Sequence, residues 1–272
     1  MGEGIMSLEG GGLQRLKNIH KIQHPYGECD TTLLSDKDFV TRYRMVAKLI
    51  NHFIELESNT DRLILDLGCG SGISTQLLRQ EVKCCEFIGL ERWQKAAKEA
   101  NSKGVNVILS DIDVSDMPFK DECFDIVFSG DVIEHIYDTD HFIEEVFRIL
   151  KDGGLFVLTV PNITSLFNRI AVLLGFQPFS TNVSTKFSIG HLYEEKTSKS
   201  VHSSDHIRVF TVNSLSELLK RYNFIILTRR GIGARYYSEN VITKLAKVIN
   251  KMLYYAPTLA SSVVIIAKKR RI

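Results

Sequence analysis

Short apolar runs alternate with stretches of helical period along most of this chain, a pattern that predicts a parallel sheet with helices on both faces. Arg62–Leu67, Phe87–Leu90, Val105–Leu109, Phe124–Phe128 and Leu155–Val160 read as the first five strands. Helical spacing fills the gaps at Ser74–Gln80, Trp93–Ser102 and Thr139–Leu150, with Lys151-Asp152-Gly153-Gly154 expected to close the last as a C-cap and turn. Ahead of them, Phe39, Tyr43, Val46, Ala47, Ile50, Phe53 and Ile54 recur at helical spacing, so residues 36–57 form an amphipathic lead-in helix that packs at the sheet edge or covers a ligand. Residues 162–206 interrupt the alternation with a short apolar helix, Leu166–Leu174, and a polar Ser/Thr-rich stretch. An insertion of that length in a compact domain reads as a lid. The alternation resumes with a helix over Ser214–Tyr222, capped by Thr211 or Asn213, and a strand over Phe224–Thr228. A late helical insertion at 235–257 and a final strand over Ser262–Ala267 complete the chain. The glycine-rich residues 1–12 have neither period and read as a disordered tail, leaving 13–272 as one α/β domain.

Bulk composition narrows this picture. With 272 residues and 44% hydrophobic content the chain can bury one sizeable core. A formal charge of +2 lacks the concentrated basic excess of a nucleic-acid binder, and only Lys268-Lys269-Arg270-Arg271 is locally basic, reading as a solvated run. Cys29, Cys69, Cys84, Cys85 and Cys123 form no C-x-x-C pair and fit reduced thiols. No apolar run approaches the ~20 residues of a membrane helix, and the N-terminus lacks the order of a signal peptide, so a cytoplasmic location is expected.

The richest segment is Leu63-Ile-Leu-Asp66-Leu-Gly68-Cys69-Gly70-Ser-Gly72, an apolar strand that runs into a glycine-rich turn and then a helix. Glycines let the backbone bend tightly and let a ligand lie on bare main chain, and the N–H groups of the helix start favour a carboxylate or phosphate. Asp66, two residues before Gly68, would repel a pyrophosphate and attract an ammonium or sulfonium. Glu91 ends the second strand about twenty residues on, where an acid can accept from both hydroxyls of a ribose. Arg92 follows it.

Together, D-L-G-C-G-S-G, I-G-L-E and F-D-I-V-F-S-G-D-V-I-E-H resemble the class I S-adenosylmethionine-dependent methyltransferases over roughly residues 60–230. The resemblance implies a doubly wound, mostly parallel seven-stranded sheet of Rossmann-like type, its last strand antiparallel between strands five and six. It implies S-adenosylmethionine as cofactor, S-adenosylhomocysteine as product, and a methyl acceptor as substrate. The motif glycines and acid carry over to Asp66, Gly68, Cys69, Gly70 and Gly72, and the ribose acid to Glu91. The adenine-binding acid and the backbone N–H after it fall on Asp111-Ile112 counted from strand three, or on Asp113-Val114 counted from Met117-Pro118-Phe119; Asp111 is favoured. Ser129 and Gly130 fall beside the methionyl part of the cofactor.

Methyl transfer from a sulfonium is already downhill, so an enzyme contributes chiefly alignment and exclusion of water, with a base where the acceptor must lose a proton. His135, after strand four, is the candidate base. His206 and Arg208, in Asp205-His206-Ile207-Arg208-Val209-Phe210-Thr211, are candidates for substrate contact, while His191 and His202 read as loop histidines. No metal is expected. The alternative is a metal set of Asp131, Glu134, His135 and His206, whose pattern resembles that of small-RNA 3′-terminal 2′-O-methyltransferases, with Asp131 where that family has Glu. A catalytically inactive binding module is the other alternative. Lys244, Lys247 and Lys251 around the late apolar helix allow a peripheral membrane contact, and Tyr236, Tyr237, Tyr254 and Tyr255 an acceptor pocket. The expected reaction methylates oxygen or nitrogen of a small molecule or a glycan or lipid precursor; oligomeric state is not legible.

Overall fold

The computed structural model describes residues 37–54, 61–83, 85–184, 187, 189–192, 206–233, 249 and 251–271. Residues 1–12, Cys29, Cys84, His202, Tyr236, Tyr237, Lys244, Lys247, the 193–205 part of the proposed lid and most of the proposed late helix lie outside them; residues 249 and 251–255 of the latter are helical.

Seven strands make one sheet in the order β3-β2-β1-β4-β5-β7-β6. They are β1 (Arg62–Leu67), β2 (Cys85–Glu91), β3 (Asn106–Leu109), β4 (Phe124–Gly130), β5 (Leu150–Pro161), β6 (Phe224–Ile232) and β7 (Ser262–Lys269). The first five are parallel, and β7 runs antiparallel between β5 and β6, with Val157 opposite Ile266 and Gly231 opposite Val263. The α/β, doubly wound expectation therefore holds, including the inserted antiparallel strand.

Strand alternation sorts the core into two layers. Ile64, Ile126, Phe128, Leu155, Val157, Val264 and Ile266 face one way, onto Val46, Ala47 and Ile50 of α1 (Lys37–Ile54) and Leu77 and Leu78 of α2 (Ile73–Glu81). Their neighbours Leu65, Leu67, Val127, Phe156, Leu158, Val263 and Ile265 face the other way. They meet Phe142, Ile143 and Val146 of α4 (Thr139–Ile149) and Leu215 and Leu219 of α6 (Val212–Arg221). The lead-in helix thus packs on a sheet face; residues 36 and 55–57 of its expected span lie outside the described residues. Helix α3 (Gln94–Ser102) lies against β3, and α5 (Leu166–Leu173) follows β5.

Two boundaries differ from the sequence reading for physical reasons. Lys151-Asp152-Gly153-Gly154 is no helix cap: α4 runs directly into β5 at Leu150, which pairs with Phe124, and residues 151–154 bulge opposite Asp125. Gly153 at φ +76 makes the bulge possible, and Lys151 Nζ holds the Asp125 carboxylate at 2.8 and 2.9 Å. Helix α6 starts at Val212 because Thr211 caps it, its hydroxyl accepting the Ser214 N–H at 2.9 Å while Ser214 Oγ accepts the Thr211 N–H at 3.0 Å. No helix among the described residues is long and apolar enough to cross a membrane.

Candidate active site

The parallel strands β1 to β5 deliver their C-terminal ends to one edge of the sheet, where a crevice in an open α/β fold forms. At the end of β1, the Gly68 and Cys69 N–H groups both donate to the Leu90 carbonyl, at 2.8 and 3.1 Å, folding the glycine loop back onto β2. Gly68, Gly70 and Gly72 all take positive φ, at 70, 53 and 80°. A Cβ on Gly68 would lie 2.6 Å from Val132 Cγ2, and one on Gly72 would press on Ala100 and Val105. Gly70 instead has nothing within 4 Å, so its backbone borders open space.

Two carboxylates flank that bend. Asp66 is 1% exposed, on the α1/α2 face of the sheet, and Thr75 Oγ1 donates to it at 2.6 Å. Burial pushes its pKa up to about 7 against the pull of the Thr75 and Ser74 hydroxyls. Glu91 is 6% exposed and divides its oxygens, accepting the Gly70 N–H at 2.9 Å and the Trp93 N–H at 2.8 Å. The neighbouring Arg92 lies over the Trp93 ring at 4.9 Å.

The two adenine candidates part company. Asp113 accepts the Tyr137 N–H at 2.7 Å and faces Arg92, whereas Asp111 uses one oxygen to accept the Asp113 N–H at 3.1 Å. Ile112 between them is buried. At the end of β4, Ser129 is buried with its hydroxyl lacking a partner. A Cβ on Gly130 would meet the Phe128 ring at 2.9 Å and the Tyr43 hydroxyl at 3.1 Å. These features fit a nucleoside ligand with a cationic tail: open main chain at Gly70, an unpaired buried hydroxyl at Ser129 and two acids.

Past β4 the backbone turns sharply, with Asp131 at φ +54. Its carboxylate is held by Arg42 and by Thr159 Oγ1, the latter at 3.1 Å. Asp131 is thereby withdrawn from the four-residue metal set read from the sequence, because a guanidinium already neutralises it. The 3₁₀ turn Ile133–His135 follows. Glu134 is 1% exposed with neither carboxylate oxygen hydrogen-bonded, and burial with Asp131 nearby raises its pKa well above the usual carboxylate range. Its carbonyl accepts the Ile207 and Arg208 N–H groups at 2.9 and 3.0 Å, bringing His206 beside the turn. The His135 and His206 rings stand edge to face, 4.9 Å apart. Arg208 turns elsewhere, donating to the Tyr137 carbonyl at 2.6 Å and covering its ring. His191 lies between the Gln177 carbonyl and Asn182.

The sequence reading missed Arg42, Tyr43 and Thr75, all near this edge. A cation next to an aromatic in the first turns of an apolar helix was the available signal for Arg42, but its partner lies far along the chain.

Comparison with known proteins agrees with this geometry. Residues 65–158 match the methyltransferase domain model. A probable S-adenosylmethionine-dependent methyltransferase of Mycolicibacterium smegmatis is 27% identical over 69% of this chain and 71% of its own length. Sarcosine/dimethylglycine N-methyltransferase of Halorhodospira halochloris is 32% identical, but over only 37% of this chain and 38% of its own. A Thermotoga maritima structure, described as a SAM-dependent methyltransferase and possible histamine N-methyltransferase, superposes with a TM-score of 0.53 at 20% identity. It covers 85% of this chain and 94% of its own. The domain match, the shared fold and the glycine loop between two buried acids together support a class I S-adenosylmethionine-dependent methyltransferase, with S-adenosylmethionine as cofactor.

Proposed function

We propose that the acceptor is an oxygen or nitrogen on a largely apolar molecule, a small molecule or a glycan or lipid precursor. The observation that carries this reading is the segment leaving the C-terminal end of β5. Leu173, Leu174, Val183 and Phe187 are between 58% and 85% exposed there, and residues 162–192 contain no acid. The same segment reaches the site, since the Ser180 carbonyl bonds His206 Nδ1 at 3.0 Å. Apolar side chains left in water beside a site favour an acceptor that covers them, and the segment acts as the lid.

Within this reading each residue has a task. S-adenosylmethionine supplies an electrophilic methyl on a sulfonium. Glu91 accepts from the ribose hydroxyls, each of its oxygens keeping a second lone pair beside the N–H it already holds. Asp66 attracts the cationic methionyl end. Asp111 accepts from the adenine amino group, because Asp113 is bonded to Tyr137, and the buried Ser129 hydroxyl lies beside the methionyl part. His135 takes the acceptor proton where one must leave. His206 meets the acceptor, whereas Arg208 braces Tyr137 and positions the loop.

Calorimetry with S-adenosylmethionine tests the cofactor half, and a folded protein without saturable binding overturns it. Methyl-labelled cofactor incubated with a cell extract, then partitioned between organic and aqueous phases, tests the acceptor. Label in the organic phase is expected. Label confined to polar aqueous products or to nucleic acid overturns the apolar acceptor.

A further inference from the structure

Helix α5 carries its polarity the wrong way round. Its buried positions are Asn168 and Ala171, while Leu166, Phe167, Ile170, Leu173 and the C-cap residue Leu174, which share one face at spacings of three and four, are exposed. A surface helix ordinarily turns its apolar stripe to the core. Hydrogen bonds fix the reversed orientation: the Ser165 hydroxyl accepts the Asn168 N–H at 3.3 Å, Asn168 Nδ2 donates to the Asn162 carbonyl at 3.3 Å, and Asn168 Oδ1 accepts the Phe179 N–H at 2.9 Å. Rolling the stripe inward would break these bonds. The exposure continues past the helix. More than half of the large hydrophobic side chains exposed among the described residues fall between Leu166 and Leu192.

A patch of this extent marks a contact with something apolar, and charge selects the partner. Residues 162–192 hold Arg169 and Lys186 and no acid, although the chain has 32 acids. A second copy docked through the same face would set these cations against each other with no acid in the segment to pair them. Anionic headgroups over an apolar interior complement both the cations and the stripe. We propose that α5 and the segment after it dock on an anionic lipid bilayer, the stripe of Leu166, Ile170 and Leu173 among the acyl chains and Arg169 at the headgroups. A second exposed group lies at the same edge of the sheet: Lys251, Met252 and Tyr255, on the stretch leading to β7. Asn162 ties that stretch to the base of α5, its Nδ2 donating to the carbonyls of Thr258 at 3.2 Å and Ala260 at 2.9 Å. The Ser180 carbonyl bonds His206 at 3.0 Å, so docking brings the site to the bilayer surface, where an apolar acceptor is drawn from the membrane. This last step rests on the apolar-acceptor reading above; docking itself does not.

Flotation of the full chain with vesicles tests the surface, using phosphatidylcholine alone and phosphatidylcholine mixed equally with phosphatidylglycerol. The wild type should float with the mixed vesicles and less with the neutral ones. Leu173→Ser/Leu174→Ser, checked for folding by circular dichroism, should bind the mixed vesicles about tenfold more weakly or worse, and Arg169→Gln about fivefold more weakly. Should the double variant not fold, Leu173→Ser decides, since that side chain is 85% exposed. Wild type that floats with neither vesicle, including a chain that self-associates in sedimentation velocity instead, overturns the docking surface, as does a leucine variant that floats like wild type. Vesicle binding with methyl label confined to polar products supports the surface and overturns the apolar acceptor; label in the organic phase without vesicle binding does the converse.

Discussion

Arg42, in the second turn of α1, donates to the carboxylate of Asp131 just beyond β4, although the two residues are 89 positions apart. That bond ties the lead-in helix to the edge where the glycine loop and the 3₁₀ turn meet. It also pins a residue at positive φ, a conformation that costs of order 1–3 kcal/mol and persists where the surroundings enforce it.

Removing the guanidinium should therefore loosen both partners. Arg42→Ala leaves a half-buried carboxylate without its cation; breaking a fully buried pair costs about 3–5 kcal/mol, and the partial exposure of Asp131 brings the expected loss to about 2 kcal/mol. Urea denaturation of the single and the Arg42→Ala/Asp131→Asn double variant measures it. The double variant should recover part of the loss, and equal stability of wild type and Arg42→Ala would show the bond to be idle.

Much of the molecule was readable from its sequence, and the boundary follows interaction range. Strand-to-helix alternation is local, so β1 to β5 and their helices could be placed within a few residues. The glycine loop with Asp66 and Glu91 could be found because tight main-chain geometry demands particular residues at fixed spacing. Contacts between distant segments left no such mark. The bulge at 151–154 depends on Leu150 pairing with Phe124, and the meeting of Glu134 with His206 depends on the 207–208 backbone returning to the 3₁₀ turn. Thr75 escaped notice because its hydroxyl matters only once α2 is laid over Asp66.

The glycine loop gives a paired prediction. Gly68→Ala places a methyl 2.6 Å from Val132 Cγ2 at φ +70, so it should destabilise the fold. Gly70→Ala meets no atom within 4 Å and adds only the left-handed penalty of roughly 1–2 kcal/mol. Its methyl instead projects into the space beside the bare backbone, so S-adenosylmethionine affinity should fall about tenfold or more while thermal unfolding changes little. Calorimetry and melting curves on both variants check the split. A Gly70→Ala protein with unaltered cofactor affinity would place the ligand elsewhere.

Glu91→Ala removes the acceptor assigned to the ribose and also the cap on the Gly70 and Trp93 N–H groups. Loss of a charged hydrogen-bond partner is worth about 1.5–3 kcal/mol, which predicts S-adenosylmethionine binding weakened by roughly 10- to 100-fold. A matched measurement with 2′-deoxy cofactor separates the two effects, since that analogue should discriminate wild type from Glu91→Ala less than the natural cofactor does.

His135→Ala should lower kcat at saturating acceptor while leaving the cofactor Kd within about twofold, because the ring stands with His206 rather than at the glycine loop. Single-turnover methyl transfer reads the chemical step. Unchanged turnover would remove His135 from proton transfer.

The last prediction concerns pH. Asp66 titrates near pH 7 in the folded chain, held up by burial, and near the ordinary carboxylate value of about 4 when unfolded. The folded state thus keeps a proton that the unfolded state has released. Its contribution is fully present below about pH 4 and is lost as pH rises toward 7, at about 1.4 kcal/mol per pH unit. Urea denaturation across that range should show the decline, and Asp66→Asn, which carries no titrating proton, should flatten this part of it. Cofactor binding should run the opposite way, because only the ionised carboxylate attracts a cationic methionyl end, so affinity should rise through pH 7 in wild type and not in Asp66→Asn. Parallel pH profiles for the two proteins would show that Asp66 is not the group the cofactor senses.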